Sequence, residues 1–466
     1  MAHPSDAGRL HRKLSSFGVL LLTLSCLSPV LSVYGVGADV LKTAGTAAAG
    51  LFLFGIAVTA VFGMLYAELA SAYPYSGGDY VGIGFILGPS AALASLSLWA
   101  VTAGPSIAFM AKIAATYANE LAPVVPASFV TFGSLSAALA IALLAVRAGA
   151  VVTGTILAIE MAAIVALIGA GFANPARSIA ETIAHPVVLD AAGVLVPVSI
   201  GAIALGAVSA AFGTCGGNQA IAFGEELLDP HRRMGNVVML AALIGAFATA
   251  VPVIAVVLGA SDLARFLDNP APFSAYIGSV AGPTASKALS AAVALAVFNA
   301  MIVAIMFYGR LFFSLGRDEI FYPNANRALS RVHAKSGTPR AATLFVGAMS
   351  AACCVLDSHT LLVFISGILP YLLALVSLAV LIGRSRHLTG GSGRWRSPLY
   401  PLAPILGLIT AAALGVADLL DAEAGRPSTI LLGAIVVAAL LWNRLVLRQR
   451  PGGWQPRLPE DFASRP

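Results

Sequence analysis

Residues Leu205–Pro230 of this 466-residue chain read LGAVSAAFGTCGGNQAIAFGEELLDP. The stretch begins as an apolar helix, and a run of glycine and polar residues from Phe212 to Asn218 then interrupts it. Each glycine costs about 1 kcal/mol relative to alanine inside a helix. Helical character resumes at Gln219 and stops at Asp229-Pro230. The stretch therefore predicts one helix that is made of two halves.

The composition is that of a membrane protein, because 59% of the residues are hydrophobic and only 10% are charged. A bilayer has no water for backbone groups that a helix break frees, so such a break must line a cavity or a protein interior. The net charge of +6 comes from short basic clusters between apolar runs, which indicates membrane topology rather than nucleic-acid binding. We expect no disulfide framework, no metal site and no cofactor, since the four cysteines lie in apolar segments, away from histidines: Cys26, Cys215, Cys353 and Cys354.

Twelve apolar segments are long enough to cross about 30 Å of hydrocarbon. They lie near 14–37, 45–73, 90–118, 127–146, 150–173, 196–227, 235–260, 286–314, 341–356, 360–383, 401–420 and 428–447. The first lacks a clean cleavage site, so we take it as a span and not as a signal peptide. With both termini in the cytoplasm, most of the 27 basic residues lie on the cytoplasmic side, as expected. The other side then holds only Lys42, Lys112, Arg177, Arg265, Lys287 and Arg426.

A second break is predicted in the first span, at Ser25-Cys26-Leu27-Ser28-Pro29, because proline lacks an N–H and clashes with the preceding turn. Spans one and six open two successive sets of five, which is where an inverted repeat places its broken helices. We therefore predict an all-α membrane protein with a ten-helix core over 14–383, divided into repeats 14–173 and 196–383. The alternative is that glycine and proline are simply common in membrane helices.

The regions outside this core have simpler expectations. Residues 1–13 form a cytoplasmic tail, and 399–447 hold two peripheral helices with almost no internal polar groups, which suits a scaffold or dimer role. Residues 448–466 are polar and rich in proline, and we expect them to be a disordered cytoplasmic tail. We expect a monomer or homodimer. Abundant alanine, and arginine in preference to lysine, indicate a bacterium with a GC-rich genome, hence the inner membrane.

Three motifs resemble those of the amino acid–polyamine–organocation superfamily of permeases. The second span and its exit, 66–81, read YAELASAYPYSGGDYV; 223–232 read FGEELLDPHR; and RLFFSLGRD at 310–318 precedes HAKSGTP at 333–339. The resemblance covers most of 14–383 and implies a LeuT-like fold of ten core helices plus two peripheral ones, moving amino acids or related amines by alternating access. The chain departs from the family at Ser28-Pro29, where much of the family has a Gly-x-Gly break.

The two breaks are the predicted substrate site, because broken helices offer N–H donors to a carboxylate and free carbonyls to an ammonium group. The predicted contacts are Cys26, Ser28, Pro29, Ser32, Phe212, Gly213, Thr214, Cys215, Gly216, Gly217 and Asn218. The resemblance implies an aromatic gate near Phe212, although a core or lipid-facing phenylalanine explains it equally well. Small apolar packing explains both cysteines, so Asn218 is the favoured side-chain contact.

Glu160 stands in the middle of the fifth span, where a carboxylate costs about 2.5–3.5 kcal/mol to insert. Removal from water favours the neutral form of a carboxyl group, so we predict that Glu160 carries a coupling proton. The alternatives are an ion pair or hydrogen bond that stabilises the bundle, and a contact to a basic substrate. In the family a basic residue near this position replaces a sodium site, so the acidic residue is a departure.

Other polar residues are predicted to line or close the pathway. Those within the spans are Trp99, Ser106, Asn299, Ser366 and Tyr371, although polar side chains also hold helices together. Those at cytoplasmic helix ends are Glu68, Asp79, Glu225 and Glu226, which would form a gate by pairing with Arg232, Arg233 or Arg317. Solvated interfacial charges are the alternative for these acids.

The predicted function is proton-coupled symport of an amino acid or related amine, with an exchanger as the alternative. Neither break contains a charged residue, which favours a zwitterionic or small amine substrate. An integral-membrane enzyme is a remote alternative, because all seven histidines lie in predicted tails, loops or helix ends and no HExxH or GxSxG motif occurs.

Overall fold

The computed structural model describes residues 14–75, 78–144, 150–173, 175–333, 338–450 and 453–456. Several predictions fall on residues outside these ranges. They are the N-terminal tail 1–13 with Arg9, Arg12 and Lys13, Ser76-Gly77 of the first motif, Arg147, 334–337 with Lys335, and the end of the C-terminal tail with Arg457 and Arg465.

Nearly all of the regular structure is helical. The first half of the chain forms α1 Ser16–Leu27, α2 Pro29–Leu31, α3 Ala38–Ala44, α4 Ala48–Ala72, α5 Asp79–Leu87, α6 Pro89–Asn119, α7 Ala127–Leu143, α8 Ala150–Ala173 and α9 Ile179–Ala184. A π-helix, Ser32–Gly37, joins α2 to α3, and a 3-10 turn, Gly45–Ala47, joins α3 to α4.

The second half continues the same architecture. It forms α10 Ile200–Thr214, α11 Pro230–Gly259, α12 Leu263–Asp268, α13 Pro272–Ala281, α14 Pro283–Arg317, α15 Pro323–Leu329, α16 Arg340–Cys353, α17 Ser358–Ser366, α18 Ile368–Ser385, α19 Leu402–Leu420 and α20 Gly425–Trp442. A 3-10 helix, Gly217–Phe223, follows α10, and a π-helix, Asn443–Leu447, follows α20.

Within the described ranges, 9 helical stretches are long and apolar enough to cross a membrane. The first of them, Ser16–Ala72, covers two predicted spans, and two shorter apolar helices, α7 and α16, coincide with predicted spans four and nine. The prediction of a helical membrane protein is therefore confirmed. Twelve crossings and an inverted repeat stay predictions.

A short β-hairpin, not predicted from the sequence, lies between α9 and α10. Its strands, β1 Val187–Leu189 and β2 Leu195–Pro197, pair antiparallel. The hairpin rests on the turn between α3 and α4, where the N–H of Val187 donates to Oγ1 of Thr46 at 3.0 Å. Gly45 has a φ of 53°, and a Cβ there would overlap the main chain of Val187, so the close approach requires glycine.

Small residues let the long helices approach closely, as is usual in membrane bundles. Helices α4 and α11 pack along each other, and a Cβ added to Gly63 would lie 3.1 Å from the Cβ of Ala242. Helix α4 also packs against α10, and a Cβ at Gly55 would lie 2.8 Å from Oγ1 of Thr214. This packing brings α4, α10 and α11 together beside the interrupted first helix.

The described structure departs from two details expected for the C-terminal third. The peripheral helices do bury polar side chains, since Asp418 in α19 is 1% exposed and Ser428 in α20 is also buried. The tail is ordered at 453–456, where the indole of Trp454 is buried and its Nε1 donates to the carbonyl of Asp318 at 3.0 Å. Composition alone did not reveal this docking, because one aromatic residue suffices to anchor a polar segment.

Candidate functional site

Ser28 interrupts the first long apolar helix. Helix α1 ends at Leu27, Ser28 takes a left-handed φ of 40°, and Pro29 begins α2. Because Pro29 has no N–H, the carbonyl of Ser25 cannot receive the helical bond from four residues ahead. The chain then continues as the π-helix, a form that is rare and frequent at functional sites. The break predicted from the sequence thus falls at Ser28.

The second break follows α10. Helix α10 ends at Thr214, Cys215 is extended, and Gly216 has a φ of 157°. The sequence predicted that helical character resumes at Gln219, and the structure has a 3-10 helix of 7 residues there, Gly217–Phe223. It lies tightly on α11, since a Cβ at Gly217 would lie 2.6 Å from the carbonyl oxygen of Val238. So short a helix has few aligned peptide dipoles, and its dipole contributes less to anion binding than we expected.

The two breaks contact each other. A Cβ added to Gly216 would overlap the side chain of Leu27, the last residue of α1. A Cβ at Gly213 would lie 2.9 Å from Cγ1 of Val36 in the π-helix. Both glycines are therefore required for the close packing of the interrupted helices. Residues that are about 190 positions apart in the sequence form one continuous region.

Glu160 of α8 faces the first break. Its carboxyl group is buried, at 1% exposure, and Oε2 accepts a hydrogen bond from the Ser28 hydroxyl at 3.4 Å. The ion pairs among the described residues do not include Glu160, so the predicted alternative of an ion pair finds no partner there. The hydrogen bond from Ser28 to this carboxyl group is at the long end of hydrogen-bonding distances.

Thr59 of α4 holds the second break and was not predicted from the sequence. Its side chain is fully buried, and its hydroxyl donates to Oγ1 of Thr214 at 2.9 Å and lies 3.4 Å from Sγ of Cys215. The Thr214 hydroxyl donates in turn to the carbonyl of Ala211 at 2.9 Å. The only sequence signal for this role was a threonine inside an apolar helix, which has many structural explanations.

The remaining predicted contacts differ in burial. Phe212 is half-buried and packs against both large hydrophobic clusters of the protein. Cys26, Ser32 and Asn218 are also half-buried, whereas Pro29 is buried. The packing of Phe212 agrees with a core residue, and its role as a gate stays a prediction.

Residues 14–440 match the sequence profile of the family described as amino acid permease. The chain belongs to this family. The match covers nearly the whole chain and confirms the resemblance seen in the motifs. The permease is thus a multi-pass membrane protein of a family that transports amino acids, which points to a transporter rather than an enzyme. No match was found among curated proteins.

The partner predicted for Glu68 of the permease was wrong. The guanidinium of Arg384 in α18 donates from Nε to Oε1 at 3.0 Å and from Nη2 to Oε2 at 2.7 Å. The Thr389 hydroxyl and the Ser397 N–H each donate to the same carboxylate at 2.9 Å. Glu68 is fully buried, and the fold directs the side chain of Arg384, not those of the predicted arginines, to its carboxylate.

Asp79 also departs from the predicted gate, because hydrogen-bond donors and not arginines surround it. It accepts from the Tyr66 hydroxyl at 2.7 Å, from Nε1 of Trp99 at 3.3 Å and from the Ser95 hydroxyl at 3.4 Å. Burial raises the pKa of the Asp79 carboxyl group, and these hydrogen bonds oppose that shift. Trp99 therefore contacts a buried carboxyl group of the first residue of α5.

Two other predicted gate residues have different neighbours from those expected: Glu226 contacts the residues before α1, and Arg317 contacts Asp318. The N–H of Leu14 donates to the carbonyl of Glu226 at 2.9 Å, and the N–H of Leu228 donates to the carbonyl of Leu14 at 3.1 Å. The main chain around Glu226 is thereby tied to the residues before α1. Arg317 lies 3.6 Å from its neighbour Asp318.

The predicted pathway residues of the permease mostly join helices. The Tyr308 hydroxyl donates to Ser106 at 3.4 Å and links α14 to α6. The Tyr371 hydroxyl donates to the carbonyl of Thr429 at 3.0 Å and links α18 to α20. The Ser366 hydroxyl bonds within α17, and Asn299 is half-buried in α14.

Two cavities of the permease lie away from the breaks. The larger, about 540 Å³, has almost wholly apolar walls from α6, α14, α16 and α20. The smaller, about 340 Å³, lies between α1 and α11 near Phe17 and Arg233. Neither cavity is lined by a residue of the breaks, and we assign the candidate site from the interrupted backbone and Glu160, not from cavity size.

Proposed function

We propose that the permease carries an amino acid or related amine across a bacterial inner membrane by alternating access, coupled to a proton on Glu160. The observation that carries the proposal is the contact between Ser28 at the first break and the buried carboxyl group of Glu160. The second break packs on the same residues, since Gly216 abuts Leu27. A substrate site and a proton carrier would thus share one region.

The proposed architecture has twelve crossings and two inverted repeats, 14–173 and 196–383, with 399–447 peripheral and both termini in the cytoplasm. It is supported by the position of the two interrupted helices, which open the two sets of five. The helices α7 and α16 are the shortest of the proposed spans and occupy corresponding places, as the fourth member of each set.

The substrate contacts proposed are the main-chain and small polar groups of the breaks, from Cys26 to Ser32 and from Phe212 to Asn218. Free carbonyls near Ser28 would accept from the ammonium group, and N–H groups near Gly216 would donate to the carboxylate. The absence of charged residues in both breaks supports a zwitterionic amino acid or a small amine.

Proton coupling is supported by the burial of Glu160 beside one hydroxyl partner, Ser28, among the described residues. An ionised carboxylate at this position lacks the compensation that a paired cation would give, so the neutral form is favoured and a change of surroundings would release the proton. A proton moving down 100 mV provides about 2.3 kcal/mol, and one such group would be sufficient for accumulation against a gradient.

Uptake into proteoliposomes with an imposed pH gradient tests the proposal. We expect wild-type protein to accumulate a radiolabelled amino acid only with an inward proton gradient, and Glu160→Gln to lose this dependence while exchange persists. The matched control is Glu120→Gln, an exposed residue after α6, which should behave as wild type. If Glu160→Gln keeps the pH dependence and proton stoichiometry of the wild type, Glu160 is not the carrier.

Obligate exchange is the alternative mode, and the same vesicles distinguish it. Preloaded vesicles are diluted into buffer with or without substrate outside. Efflux that proceeds into empty buffer supports symport, whereas efflux that requires external substrate identifies an exchanger. A thermal-shift screen against amino acids and amines would identify the substrate, since a ligand at 100 times its Kd stabilises by about 2.7 kcal/mol.

A further inference from the structure

Asp418 is a buried acid that the transport proposal does not use. It lies in α19 on the face that also buries Ala411 and Leu414, spaced as one side of a helix requires. The residue is 1% exposed, and neither carboxyl oxygen has a hydrogen-bond partner among the described residues. A carboxyl group is therefore built into the contact surface of a helix whose buried positions are otherwise apolar or glycine.

The elements next to Asp418 carry polar groups of their own. Asp421, in the turn that follows, already accepts from the N–H groups of Ala424 and Gly425 at 2.7 Å each. Tyr371 of α18 donates its hydroxyl to the carbonyl of Thr429 in α20. The Thr429 hydroxyl is also buried without a partner within the described chain.

The ion pairs of the described residues do not include Asp418. Arg426 of α20 is exposed and donates its Nε to the carbonyl of Leu419. Helix α10 packs against α19 and contains no titratable residue between Ile200 and Thr214. Glu68 and Arg384 of α4 and α18 pair with each other, near the start of α19 and roughly 24 Å along its axis from Asp418 at 1.5 Å per residue.

An ionised Asp418 would be unfavourable in these surroundings, because a buried charge needs a paired charge or several hydrogen bonds. The neighbouring Asp421 adds a like charge, which also favours the neutral acid. A metal cation is a poor alternative, because hard cations bind about six or more oxygen ligands. The described residues contain no group of three His, Cys, Asp or Glu that could hold a metal ion.

We propose that Asp418 is a second proton-binding site of the permease, separate from Glu160, and that it carries a proton in this conformation. Helix α10, which ends at the second break, packs against the same helix that holds Asp418. Movement of α10 during transport would change the surroundings of Asp418 and so its affinity for the proton. This link to transport rests on the proposed function, whereas the protonation itself does not.

Infrared spectroscopy of the purified permease in lipid at neutral pH tests the protonation. A protonated carboxyl group has a carbonyl stretching band that a carboxylate lacks. We expect Asp418→Asn to lose one such band, and Asp421→Asn and Glu160→Gln to retain it. An unchanged set of bands in Asp418→Asn would show that Asp418 is ionised and would overturn the proposal.

Thermal unfolding provides the second measurement. A neutral, unpartnered acid can be replaced without loss, so Asp418→Asn and the apolar, similarly sized Asp418→Leu should unfold within a few degrees of wild type. Stabilisation of the wild type by Na⁺ that both variants lose would show a metal ion in place of the proton. Lower unfolding temperatures of both variants, together with an unchanged infrared spectrum, would show a charged structural role and overturn the proposal.

Proton counting in proteoliposomes tests the link to transport. Asp418→Asn should lower the number of protons moved per substrate while uptake persists, and Asp421→Asn should not. An unchanged proton count would overturn the link. If wild-type uptake needs no proton gradient at all, the proposed symport is wrong. The protonation of Asp418 is still decided by the infrared spectra alone.

Discussion

The hydroxyl of Ser28 lies 3.4 Å from Oε2 of Glu160, so the residue that interrupts one apolar helix touches the one acid buried in the middle of another. The left-handed conformation of Ser28 places this contact at the break itself. A change in the backbone at Ser28 would therefore alter the surroundings of Glu160. The substrate that occupies the break and the proton on Glu160 can influence each other over one hydrogen bond.

Replacing Ser28 with alanine should weaken this coupling. The loss of one hydrogen bond is worth about 0.5–1.5 kcal/mol, so we expect proton-driven uptake to fall roughly two- to tenfold, at about 1.4 kcal/mol per factor of ten. The measurement is initial uptake into proteoliposomes under a pH gradient. Ser25→Ala, which removes a buried hydroxyl one turn earlier, is the control. Equal uptake by both variants would contradict the role of Ser28.

Thr59→Val should loosen the second break. Valine keeps the shape of threonine but removes the hydroxyl that bonds Thr214 and touches Cys215. We expect a loss of about 1 kcal/mol in the free energy of unfolding and weaker substrate binding by isothermal calorimetry. Thr131→Val is the matched control, since the buried Thr131 hydroxyl bonds only within α7, to Ala127. Weaker binding in Thr131→Val as well would point to a general loss of stability.

Gly217→Ala should destabilise the permease. The added methyl would lie 2.6 Å from the carbonyl oxygen of Val238 and 2.8 Å from the N of Ala242, and main-chain atoms inside α11 cannot easily move away. Overpacking of this kind costs about 1–3 kcal/mol. Gly133→Ala in α7 has nothing within 4 Å of the added methyl and should gain up to about 1 kcal/mol of helix propensity. Thermal unfolding in detergent should separate the two variants in opposite directions.

The pair formed by Glu68 and Arg384 should behave as a buried ion pair. Arg384→Gln leaves the fully buried Glu68 carboxylate without its cation, and we expect a loss of about 3–5 kcal/mol in the free energy of unfolding. Glu68→Gln combined with Arg384→Gln should recover part of that loss. Arg386→Gln, at an exposed position in the same segment, should have little effect. Strict additivity of the two single variants would contradict direct pairing.

Trp454→Ala should release the C-terminal segment. The buried indole donates to the carbonyl of Asp318, and Nη2 of Arg450 donates to that of Phe321 at 3.0 Å. Without the indole we expect faster trypsin cleavage after Arg448, followed by mass spectrometry; the bond after Arg450 resists trypsin because Pro451 follows it. Gln449→Ala, an exposed neighbour, is the control. Equal cleavage of the wild type and of Trp454→Ala would show that the indole does not restrain the segment.

The sequence predicted the interruptions well, because their causes are local. Pro29 removes a backbone donor wherever it stands, and the glycines near Gly216 weaken any helix. Contacts between distant residues could not be predicted in the same way. Arg384 is separated from Glu68 by 316 positions, and many basic residues were possible partners.

The remaining errors have a similar origin in side-chain orientation. Asp418 stands in a helix that is otherwise almost wholly apolar, and its burial depends on which face packs inward. The seven-residue 3-10 helix after Gly216 results from close packing on α11, and the letters Gln219 to Phe223 favour an α-helix when they are considered alone. Hydrophobic periodicity predicts where a helix lies but not which neighbour it meets.

The ion pair between Glu68 and Arg384 limits how the helices of the permease can move relative to one another. Nε and Nη2 of the guanidinium donate to both carboxylate oxygens, and Thr389 and Ser397 also donate to this carboxylate. The last turn of α4 and the last turn of α18 are therefore held rigidly together. Parting them would strand a charge in a medium of low dielectric constant. Any motion that opens this end of the protein must therefore move α4 and α18 together as one rigid body, and the hinge must lie elsewhere.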